Sequence, residues 1–162
     1  MNRFTMSVAA ASIVLSSVVL LSAEAQTAKD LTGTWTLVSS VITQGGTKTD
    51  TFGPKPSGML IFGSDGHYML TFLRSDLPKV ASGSRTSETP DEARAIAQGS
   101  VSSFGTYTVD DKEIVLHIED CTFPNWKGAE QRRPFSLSQD ELTYTSPGTT
   151  GMATQVTLHR VK

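Results

Sequence analysis

The sequence predicts a mainly β protein: an eight-stranded antiparallel up-and-down barrel with one α-helix between strands 3 and 4. Three observations predict it. Runs rich in β-branched and aromatic residues recur along the chain, most neighbouring runs are separated by short turns, and a single stretch carries a complete helix start. Strands joined by short turns pair antiparallel, and a long meander closes on itself because closure removes the unpaired edges of an open sheet. Eight strands leave an interior just wide enough to pack solid or to hold one small ligand.

The first strand is read from Gly33 to Ile42, ending at Gly45-Gly46. A loop bearing Phe52-Gly53-Pro54-Lys55-Pro56 leads to Gly58–Phe62, an Asp65-Gly66 turn, and His67–Leu73, which together read as a hairpin. The chain then turns polar until Thr89-Pro90-Asp91-Glu92, where an N-cap, a first-turn proline and an acid three residues after the cap mark a helix N-terminus. The helix is expected to run to about Ser103, burying Ala93, Ile96, Ala97 and Val101. Strands at Phe104–Val109, Glu113–Cys121, Gln131–Leu137, Glu141–Ser146 and about Ala153–Arg160 complete the set.

The first 25 residues pair Arg3 with an apolar run from about Val8 to Leu21 and the ending Ala23-Glu24-Ala25, the pattern of a cleaved secretory signal. Residues 26–162 then form one domain, expected to be exported and periplasmic or secreted. The apolar run is shorter than the ~20 residues of a spanning helix, and no later segment is apolar enough to cross a bilayer, so stable membrane insertion after cleavage is not expected. Cleavage removes one base and one acid and leaves the net charge at −2, which offers nothing to nucleic acid. The lone Cys121 cannot form an internal disulfide.

Leu31-Thr32-Gly33-Thr34-Trp35, Phe52-Gly53-Pro54, Gly58-Met59-Leu60-Ile61, Asp65-Gly66-His67, Phe104-Gly105-Thr106-Tyr107 and Phe123-Pro124-Asn125-Trp126-Lys127-Gly128 follow one another in an order that resembles the lipocalin-like domain family, small microbial proteins related in shape to the lipocalins. The resemblance covers nearly all of residues 26–162 and implies a lipocalin-like barrel. It also implies that Trp35 closes one end and stacks on Arg160. It brings no shared reaction with it.

The stretch from His117 to Arg133 is the richest in chemistry. Gln131 and Arg133 share the parity of Phe135 and Leu137, so if the apolar pair faces a core, a charged guanidinium faces it too, and it must be paired there or meet a ligand. The strand Glu113–Cys121 offers two faces: Ile114, Leu116 and Ile118 on one, Val115, His117, Glu119 and Cys121 on the other. If the mixed face looks inward, His117, Glu119, Gln131 and Arg133 form a polar patch among Tyr68, Leu70, Phe72, Phe135, Leu137, Tyr144 and Trp126, the make-up of a small-molecule site. If the Ile-Leu-Ile face looks inward, His117 and Glu119 are solvated. Arg133 either neutralises Glu119 or forks onto a ligand carboxylate. Trp126 is either a lid or a core plug, and Asn125, the only Asn after residue 25, is placed to hold its loop.

His67, His117 and His159 are scattered without metal-ligand spacing, and the chain has no nucleophile elbow, phosphate loop or dinucleotide fingerprint. No cofactor or metal is expected. The expected partner is a small apolar or amphipathic molecule in the barrel interior. The alternative is a cofactor-free enzyme of cyclase or isomerase type, with His117 as base and Arg133 or Tyr107 as electrostatic partner.

Overall fold

The computed structural model describes residues 26–148 and 150–162; the secretory segment read at residues 1–25 lies outside the described residues. Nine strands follow in the order β1 (Gly33–Gln44), β2 (Thr47–Asp50), β3 (Ser57–Phe62), β4 (His67–Leu73), β5 (Ser100–Asp110), β6 (Glu113–Cys121), β7 (Glu130–Ser138), β8 (Glu141–Ser146) and β9 (Thr154–Arg160). A short helix α1 (Ala28–Leu31) precedes them, α2 (Pro90–Gln98) lies between β4 and β5, and a 3₁₀ turn spans Pro124–Trp126. From β3 to β9 each strand pairs antiparallel with the next, and β9 returns to β1, so eight strands close into a barrel with β2 outside the ring.

The long β1 makes this arrangement. One edge runs along β9, while the other is divided between β3, facing Gly33 to Thr36, and β2, facing Val41 to Gln44. The sequence Thr47-Lys48-Thr49-Asp50 has no apolar residue and all four are exposed. It becomes a strand because Gly45 and Gly46 both take positive φ (56° and 83°), the requirement of a tight hairpin turn that folds the chain back onto β1. This extra strand places the helix after the fourth strand rather than between strands 3 and 4.

The helix is also shorter than the sequence pattern implies. Its start follows the capping box, with Thr89 Oγ1 accepting from the Glu92 N–H and Glu92 Oε2 accepting from the Thr89 N–H. It stops at Gly99, and Val101 begins the inward alternation of β5 with Ser103, Gly105 and Tyr107. No residue of α2 is fully buried, and Ala93 and Ala97 are exposed. The helix therefore does not pack across the barrel wall as its stripe predicts.

Two bulges reset the alternation of inner and outer side chains. In β1 the register shifts between Leu37 and Ser39, so Trp35 and Leu37 point inward before the extra residue Val38, and Ser40 and Ile42 after it. In β6 Ile118 opposes Gly105 and Asp120 opposes Phe104, leaving Glu119 as the extra residue. Gly105 permits this kink: a Cβ there would overlap the His117 carbonyl.

One end of the barrel is packed solid. Trp35, Leu31, Leu142 and Leu158 have no exposed surface, and Phe62 lies 4.6 Å from Tyr107, centroid to centroid. The Trp35 indole donates to the Leu31 carbonyl at 2.8 Å, and Arg160 lies over its ring, Cζ 4.1 Å from the centroid, while donating to the carbonyls of Thr32 and Asp30. Among the described residues no helix is long and apolar enough to cross a membrane.

Candidate functional site

The other end of the barrel is hollow. A cavity of about 370 Å³ reaches Phe72 and Leu70 along β4 but not Tyr68, and Thr154 and Val156 along β9 but not Leu158. Its inner end is therefore at Leu70, Val156 and Arg133. Ile42, Phe52, Phe72, Val101 and Trp126 make apolar walls, and Asp50, Thr51, Gln98, Thr150 and Met152 form the rim.

Arg133 is the one basic side chain on this lining, and it is 2 % exposed. Its Nη2 donates to Gln131 Oε1 at 2.7 Å, and its Cζ stands 5.1 Å from the centre of the Tyr144 ring. Among the described residues its Nε has no hydrogen-bond partner, nor has the neighbouring Tyr144 hydroxyl. Among the described residues no carboxylate lies within ion-pair distance of Arg133. Its neutral anchor Gln131 fixes the guanidinium without offsetting the charge.

The phenols beside it are shaped by the same surroundings. Burial pushes Tyr144 above the ordinary tyrosine range, opposed by the charge of Arg133. Burial raises Tyr68 as well, against a long 3.4 Å hydrogen bond to Ser103 Oγ and the positive charge of Arg133. The remaining buried polar groups of the lining are turned to their own loops. Ser40 Oγ accepts from Thr51 at 2.6 Å, and Ser146 and Thr154 meet the Gly148 amide and the Met152 carbonyl at 3.5 Å.

The structure brings together part of the set read from the sequence. Arg133 and Trp126 border the cavity, Gln131 and Tyr144 contact Arg133, and Tyr68 is buried within reach of its charge. Phe135 is buried in the core, Leu137 is half-buried against it, and Tyr107 is at the closed end, donating to the Gly63 carbonyl at 3.0 Å. Tyr107 therefore lies away from this cavity.

His117 and Glu119 are not in the cup. Ile114, Leu116 and Ile118 face inward, and His117 and Glu119 face solvent, with His117 Nδ1 3.5 Å from Glu130 Oε2 on the outer surface. The reading of His117 as a base inside the barrel is thereby corrected. Both faces of β6 look apolar because Val115, on the outer side, is buried too; it lies opposite Thr108 and Arg132. His67 and His159 likewise sit at the surface, paired with Asp65 and Glu141.

Trp126 is half-buried at the mouth, edge-on to Phe123 at 5.4 Å. Its turn is held by backbone hydrogen bonds from Trp126 to Phe123 and from Lys127 to Pro124, and by the Lys127–Asp120 pair at 2.7 Å, while Asn125 is exposed. The sequence reading missed Ile42, Phe52, Val101 and Met152. The first follows from the bulge at Val38 and the third from the early end of the helix, neither of which alternation alone reveals.

Curated protein sequences give no match. A solved structure described as a redesigned β-barrel is similar over 87% of this chain and 100% of its own length, at 15% identity and a TM-score of 0.45. The family described as lipocalin-like domain matches residues 32–159, from the residue before the first strand to the penultimate residue of the last, and the chain belongs to that family.

Proposed function

We propose that this is an exported protein that holds a small, mostly apolar molecule inside its barrel. The observation that carries the reading is the cavity of about 370 Å³ with its walls of Phe52, Phe72, Val101, Ile42 and Trp126. At ~30 Å³ per water-sized group it has room for about a dozen non-hydrogen atoms. Largely apolar walls with a small number of placed polar groups are the usual make-up of a small-molecule site. Export rests on Arg3, the apolar run and Ala23-Glu24-Ala25.

The test is native mass spectrometry of protein purified gently from its own host, followed by titration with the neutral probe N-phenyl-1-naphthylamine. A retained molecule, or saturable one-to-one binding lost on filling the cavity with Val156→Phe, supports the reading. An empty protein that binds no probe overturns it. N-terminal sequencing of the extracellular or periplasmic protein tests export: a start at Gln26 is expected.

A further inference from the structure

We infer that the molecule held in the barrel is an organic monoanion, an apolar body of about a dozen non-hydrogen atoms ending in a carboxylate that docks on Arg133. This deepens the proposed function and rests on it. The argument begins with a disparity on β7. Arg132, on the outer face, contacts Asp110, Glu113 and Glu130 at 2.8 to 3.3 Å. Arg133, on the inner face, has only a neutral amide oxygen and the face of Tyr144. An arginine keeps its charge in proteins, and a buried charge without a counter-ion is costly.

No carboxylate among the described residues relieves that cost, and Arg133 borders the cavity. Gln131 holds Nη2, so the planar group is oriented where Arg133 borders the cavity, and among the described residues the buried Nε and the Tyr144 hydroxyl are left without partners. A carboxylate has two acceptor oxygens suited to the fork of a guanidinium. One buried cation matches one negative charge, which favours a carboxylate over a doubly charged phosphate. Asp50 also borders the cavity, but at its exposed rim and outside ion-pair distance of Arg133, so it does not supply the missing charge.

Decanoate and decanol share an apolar body of the right size and differ in charge, so calorimetric titration of both separates the head group from the container. Wild-type protein is expected to bind decanoate roughly tenfold or more tighter than decanol, and Arg133→Met to erase that preference. Equal binding of the two by wild type, or a preference that survives Arg133→Met, overturns the inference and leaves the container standing. If neither binds, both readings fall. Should Arg133→Met fail to fold, NMR of decanoate labelled at its carboxyl carbon decides with wild type alone. Bound beside Arg133 it should protonate about one pH unit or more below the free acid; protonation at or above the free value overturns the inference.

Discussion

Arg132 and Arg133 follow one another on β7, yet among the described residues the outer guanidinium meets three carboxylates and the inner one none. A strand alternates its side chains between two faces, so adjacent identical residues here occupy solvent and core. For the inner residue the consequence is a stability cost borne in the empty barrel. Replacing Arg133 and Gln131 together by Met and Leu is expected to stabilise the unliganded protein by about 1–4 kcal/mol. Urea unfolding measures this, and a marked loss would show that the pair holds the barrel together.

At the closed end the sign is reversed. Arg160→Ala removes the stack on Trp35 and hydrogen bonds to the Thr32 and Asp30 carbonyls. A loss of about 3 kcal/mol is expected, and Arg160→Lys should recover only part of it. The same unfolding curves report both variants.

Gly105→Ala is expected to be among the most damaging small substitutions. The added methyl would overlap the His117 carbonyl at the β6 bulge, backbone that cannot swing aside. A cost of about 3 kcal/mol or more, seen as a lower thermal midpoint, is anticipated. A neutral result would mean the bulge relaxes freely.

The two tryptophans should report separately. Trp35 is fully buried and away from the cavity, whereas Trp126 is half-buried on its wall. Filling the cavity with decanol should change the emission of Trp126 alone, and Trp126→Phe should abolish the response. A signal that persists in that variant would place the bound molecule elsewhere.

The pH dependence has two edges. Tyr68 and Tyr144 hold their protons more tightly folded than unfolded, because burial disfavours the phenolate. Their contribution is intact below ~10 and is lost as pH rises through the raised folded values. On the acid side Asp120 is held low first by its hydrogen bond to Lys127, and Asp30 by the Thr27 amide. Their contribution is present above ~4 and fades as pH falls through the lowered values. Absorbance titration of the phenols and unfolding curves across pH check both edges; tyrosines that all ionise near 10 would refute the first.

Much of this was legible in the residues. The strands follow from alternation and turn chemistry, the start of α2 from Thr89-Pro90-Asp91-Glu92, and the inward Arg133 from its parity with Phe135. What was not legible has physical causes. β2 carries no apolar residue and exists only because two glycines turn the chain. The bulge at Glu119 separates Cys121, which packs against the core, from His117 and Glu119 on the same nominal face. Val115 beside Arg132 made the outer face of β6 look like an inner one.

The pairing of β1 with β9 joins residues as distant in the chain as Trp35 and Arg160. Until β9 has been made, β1 and β8 both present open edges to other chains. The slowest and most aggregation-exposed moment of its folding should be this final zipping. Because the Arg160 side chain reaches the carbonyls of Asp30 and Thr32, the two ends of the domain are neighbours. A circular permutant opened in the polar segment before Thr89 and joined across those ends would turn the most distant contact of the fold into a local hairpin, and should fold faster with the same cavity inside.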